Sequence, residues 1–141
     1  MLIKNILIGE DIRQEVGNKI SLMGIVGDSL NMTIPANTPK DTPVSLALAF
    51  LVTMESDDPK KDPKSFDVLV EMHLGSQHLG KMDAKMTSTG NDRVIHLSVP
   101  KLGLLVTESS TFSISAQITK DGKLLDEGSA ILNIGLNRED A

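Results

Sequence analysis

Residues 5–28 read NILIGEDIRQEVGNKISLMGIVGD, and the fold turns on how that stretch is taken. Two apolar runs, residues 6–8 and 20–26, flank a charged segment. Residues 10–15 have a helical alternative, with Asp11 as the N-cap of a first turn. The extended reading is the better one. Ile12 and Val16 then share a face, and Gly17-Asn18 can take the positive φ of a tight hairpin turn. The stretch is therefore expected to be a β-hairpin whose return strand covers residues 19–27. Gly24 and Gly27 inside that strand signal a bulge or a close backbone approach. Residues 2–9 form the strand before it, with Ile6 and Ile8 on one face and Leu7 on the other. Apolar residues on both faces suit a central strand more than an edge.

The remainder of the chain repeats this rhythm. Residues 29–34 predict a short strand. Pro35, Pro39 and Pro43 follow at a spacing of four, which fits a stretched loop and not a helix. Residues 44–55 are rich in Leu and Ala, so a helix competes there. The start at Pro43 and the strict alternation of Val44, Leu46, Leu48, Phe50, Val52 and Met54 decide for a strand. A charged loop, SDDPKKDPKS, precedes a second alternating run: Phe66, Val68, Val70, Met72 and Leu74 inward, Asp67, Glu71 and His73 outward. Gly75-Ser76 turns that run back onto residues 77–86. Residues 93–99 predict a strand ended by Pro100, and residues 102–106 a separate apolar crossing. Phe112, Ile114, Ala116 and Ile118 alternate with Ser113, Ser115, Gln117 and Thr119. Asp121-Gly122 is a strong two-residue hairpin turn, and residues 123–136 return, with a break expected at Gly128.

Eight to ten short strands with turn signals between them predict an all-β fold, an antiparallel two-sheet β-sandwich of immunoglobulin-like or C2-like architecture. At 141 residues the chain is long enough for one well-buried core. One domain over residues 1–136 is expected, with residues 137–141 fraying.

The run Glu10-Asp11-Ile12-Arg13-Gln14-Glu15, followed by Lys19-Ile20-Ser21-Leu22-Met23-Gly24-Ile25, resembles the start of a bacterial family of uncharacterised proteins, a domain of unknown function. Their N-termini read acidic-Asp-Ile/Val-Arg-x-Glu, a short Gly/Asn turn, then Lys-x-Ser/Thr-Leu-x-Gly. The resemblance covers about the first thirty residues. It implies a β-sandwich and carries over no activity and no catalytic residue.

Composition narrows the function classes. The chain is acidic, with a net charge of −5 and its 14 lysines and arginines scattered. A phosphate-tracking surface is therefore not expected. With three Phe and neither Tyr nor Trp, it also lacks the aromatic faces that stack single-stranded bases. No run approaches 18 apolar residues, so no membrane span is expected. The first residues lack the apolar core of a signal peptide, which points to a cytoplasmic address. The absence of cysteine removes disulfides and zinc–thiolate sites.

Three clusters could carry chemistry. Glu10, Asp11, Arg13 and Glu15 form an acidic-basic surface in which Arg13 offers a planar fork to a partner carboxylate. The same charges could simply pin the hairpin register through Arg13 or Lys19. Glu55, Asp57, Asp58, Asp62 and Asp67 put carboxylates around one loop, a Ca²⁺ chemistry opposed by Lys60, Lys61 and Lys64. His73, His78 and His96 are three imidazoles; the first two flank the Gly75-Ser76 turn and could meet across it to hold a transition metal. Neither a Gly-x-Ser-x-Gly elbow nor a phosphate-cradling glycine loop is present. The sequence therefore points to a non-enzymatic module that binds a protein partner or a second copy of itself and carries no cofactor. The alternative is a metal-dependent module or enzyme using the Asp57–Asp67 loop or the histidines.

Overall fold

The computed structural model describes residues 1–17 and 19–139. Ten strands account for the secondary structure of the described residues: β1 (Leu2–Gly9), β2 (Asp11–Glu15), β3 (Lys19–Met23), β4 (Ser29–Ile34), β5 (Val44–Glu55), β6 (Ser65–Leu74), β7 (Gln77–Thr87), β8 (Val94–Val106), β9 (Ser110–Lys120) and β10 (Lys123–Arg138). They form a three-stranded sheet, β1-β5-β8, a five-stranded sheet, β4-β10-β9-β6-β7, and the β2-β3 hairpin. The all-β sandwich expected from the alternation is the observed fold. Among the described residues, no helix is long and apolar enough to cross a membrane.

The inward faces of the two larger sheets make the main core. Phe50, Val52, Met54, Phe66, Val68, Phe112, Ile114, Ile118 and Leu132 are all essentially inaccessible to water. These are the positions that period-two alternation assigns to one face. Asp121 and Gly122 take φ of 51° and 78°, the left-handed pair a two-residue hairpin requires.

The β2-β3 hairpin adds a third layer. It folds over the outer face of the three-stranded sheet, where Ile12 packs on Ala49 and Leu51 with Ile20 and Leu22 beside them. This explains why residues 48–52 are buried without a break although consecutive side chains point to opposite faces. Val16 does not share the burial of Ile12: it lies at the hairpin tip, 96% exposed. The expected turn partner, Asn18, lies outside the described residues.

Several expectations change in the structure. β1 is an edge strand, not a central one. Its exposed edge is dressed from elsewhere: Val26 N–H donates to the Ile8 carbonyl at 2.9 Å, and Ile3 N–H donates to the Asp126 carboxylate at 2.7 Å. Covering an edge in this way is what makes an apolar strand tolerable there. The return strand β3 ends at Met23, because Gly24 turns with φ of 62° under the Glu10 side chain. β8 runs unbroken through Pro100. On an edge strand one side needs no donor, so proline's missing N–H costs nothing, and the irregular register near Leu48 and Phe50 absorbs the kink. β10 likewise runs through Gly128, whose missing side chain makes room for Ile3. The sheets are not purely antiparallel, since β4 pairs parallel to β10. Residues 137–138 belong to β10, and Glu139 N–H bonds the Ile34 carbonyl; residues 140–141 lie outside the described residues.

Candidate functional site

The outward face of the β2-β3 hairpin gathers the first cluster. Register pairs Asp11 with Met23, Arg13 with Ser21 and Glu15 with Lys19. Because Ile12, Ile20 and Leu22 point inward, Asp11, Arg13 and Glu15 stand in a row facing solvent. Arg13 Nε donates to Asp11 Oδ2 at 3.2 Å, and the Arg13 side chain is 63% exposed. Both residues belong to β2, so this ion pair orders side chains along one strand and does not pin the register between β2 and β3; an exposed pair of this kind contributes little stability. Glu10 stands apart from the row. It sits at the corner between β1 and β2, its N–H bonded to the Met23 carbonyl at 2.9 Å and its side chain lying where a Cβ on Gly24 would be.

The charged loop does not converge on one point. Asp58 caps the Lys60 N–H at 3.2 Å and faces Lys61 at 3.9 Å. Asp62 turns away to the amino group of Met1 at 2.5 Å. Burial alone would raise the pKa of Asp62. The bond from that amine, the nearby Ser56 hydroxyl and the amine's charge outweigh burial and hold the carboxyl below its usual range. Ser56 Oγ and Asp62 Oδ2 nevertheless lack a hydrogen bond of full geometry. Glu55 is engaged with Lys4 at 3.5 Å, and Asp67 lies outward on β6. Beside this loop a cleft of about 570 Å³ runs between Asp57, Asp58, Lys60, Asn91 and Arg93. Its far wall is braced by Asp92, which accepts from the Thr89 N–H at 2.9 Å and from the Thr89 hydroxyl at 3.0 Å. Those bonds hold the Asp92 carboxyl below its ordinary pKa. The cleft mixes both signs of charge and aims no common set of ligands at one position.

The histidines divide. His73 and His78 are register partners across the β6-β7 hairpin, their rings edge to face with centroids 4.9 Å apart. His96 lies on β8 in the other sheet, its Nδ1 hydrogen-bonded with Thr53 Oγ1 at 3.1 Å. The structure places Glu71, not His96, beside the pair: His78 Nε2 is 3.8 Å from Glu71 Oε2. Glu71 precedes His73 by two residues on the same strand, so period two puts both on the outer face.

No family model and no curated protein matches the chain. Among solved structures, a glycosyl hydrolase family 2 member from Bacteroides cellulosilyticus resembles 69% of this chain at 11% identity and a TM-score of 0.48, and the likeness spans 14% of that protein's length. The N-terminal domain of PorA is similar at 14% identity, over 96% of this chain and 98% of that one, with a TM-score of 0.24.

Proposed function

We propose that this chain is a non-catalytic binding module that engages a protein partner through the outward face of its β2-β3 hairpin. The observation behind this reading is the division of the hairpin into two faces. One face is spent on packing, with Ile12, Ile20 and Leu22 laid on β5. The other presents Asp11, Arg13 and Glu15 to solvent, with Met23 half-exposed at one end and Val16 fully exposed at the tip. An apolar tip beside a row of mixed charge suits a partner surface that has a shallow apolar site flanked by charges of both signs. Arg13 contributes a fork that a carboxylate can engage from two directions. A second copy of the chain carries the same row of both signs, so mass measurement of the complex separates a homotypic partner from a different protein.

The test compares the tagged native chain with Asp11→Ala/Arg13→Ala and with Val16→Asp, in lysate of the native host and in purified form. Each variant is first shown to keep its far-ultraviolet circular dichroism spectrum and its melting temperature. Supporting the reading requires a partner held by the native chain and lost from both folded variants. Capture that is unchanged in both variants would move the interface elsewhere and defeat the proposal.

A further inference from the structure

We infer that Glu71, His73 and His78 form a binding site for a first-row divalent transition ion, zinc or one of its neighbours. The site is assembled by the register of one hairpin. Gly75, with φ of 59°, turns β6 into β7, and the pairing sets His78 directly across from His73. A register shift between Met72 and His73 leaves Leu79 unpaired on β7 and brings the two rings together. Glu71 then joins from the same strand as His73.

One ligand atom from each of the three residues lies within 4.8 Å of those of the other two. A tetrahedral zinc ion with bonds of about 2.0–2.1 Å holds its ligand atoms about 3.3 Å apart. Closing the difference takes rotations of side chains that are exposed or half-buried, with no movement of the sheet. Two imidazoles and one carboxylate suit zinc, copper, nickel or cobalt better than calcium or magnesium, which seek an oxygen shell. Three ligands on an open sheet face leave the remaining positions to water. Ser113 and Ser115 of β9 are the register partners of His73 and Glu71, beside them on the strand that flanks β6 opposite to β7. Lys81 is the cross-strand partner of Glu71 and puts a competing positive charge on the neighbouring strand, from which it must swing aside to admit a metal ion. Its long exposed stem allows that, at some cost in affinity.

The experiment uses the untagged chain, freed of metal by chelator, titrated with zinc chloride. Binding is followed by calorimetry and by the ring signals of its three histidines in proton nuclear magnetic resonance. The expected result is one equivalent bound, with two histidine rings shifting and the third still. His78→Ala and Glu71→Gln should each weaken binding at least tenfold, while His96→Ala leaves it unchanged. Each variant is checked for an unaltered circular dichroism spectrum. No saturable binding below millimolar zinc, native affinity in His78→Ala, or equal loss in His96→Ala would overturn the assignment.

Discussion

The third layer makes a prediction that a plain two-sheet sandwich would not. Leu51 and Leu105 both point out of the sandwich from the three-stranded sheet. Leu51 is 8% exposed because the β2-β3 hairpin covers it, whereas Leu105 is 67% exposed. Leu51→Ala removes three carbons, worth about 2.4 kcal/mol at about 0.8 kcal/mol each. The cavity term adds little, because a two-stranded hairpin can settle onto the gap more easily than a closed core can. A loss of about 2–3 kcal/mol follows, near the lower end for buried Leu→Ala changes. For a chain of this length the entropy of unfolding is about 0.3 kcal/mol/K, so the melting temperature should fall by about 7–10 °C. Leu105→Ala should change stability by less than about 0.5 kcal/mol. With neither Trp nor Tyr in the chain, circular dichroism is the appropriate probe for thermal and urea unfolding. Equal effects of the two substitutions would refute the reasoning, since the hairpin would then not be packed on β5 in solution.

Three further outcomes follow from single contacts. Asp126→Ala removes the carboxylate that caps Ile3 N–H at 2.7 Å; it should cost about 1.5–3 kcal/mol in urea unfolding and, by undressing the β1 edge, raise self-association seen by light scattering. Gly128→Val brings a branched side chain onto Ile3, whose Cγ2 would already lie 3.1 Å from a new Cβ; a loss of about 1–3 kcal/mol in chemical denaturation is expected. Asp62 titrates lower in the fold than its ordinary value near 4, so its contribution to stability is full above about pH 4 and is lost as pH falls through the lowered value. Asp62→Asn should therefore flatten the acid limb of a stability–pH curve.

Much of the fold was legible because alternation is a local signal. Phe112, Ile114, Ala116 and Ile118 read as one inward face and are fully buried. The errors came where a neighbour decides the matter. Pro100 reads as a strand end, yet on the outer edge of β8 its missing N–H has no partner to lose. Gly128 reads as a break, yet it is the gap that admits Ile3. β1 reads as central because both its faces are apolar; which strand lies at an edge is set by strand order, and no periodicity encodes that order. The parallel pairing of β4 with β10 was invisible for the same reason, joining residues about a hundred positions apart.

The candidate site shows the same boundary between local and distant information. His73 and His78 could be paired from the sequence because one short turn separates them. His96 was grouped with them on residue type alone, and strand order sends it to the other sheet. Glu71 carried a readable signal, since it lies two residues before His73 on a strand whose outward face was already assigned. Residue type alone groups three imidazoles, whereas a carboxylate ligand is marked only by its place on the same strand face. The two candidate surfaces also sit on opposite sides of the molecule, the hairpin outside one sheet and the Glu71–His73–His78 cluster outside the other. Between them lies a closely packed core of fully buried aliphatic and aromatic side chains. Such a core transmits little unless it has two arrangements to choose between. A metal on one face and a protein on the other would therefore be held independently, each by the register of its own hairpin.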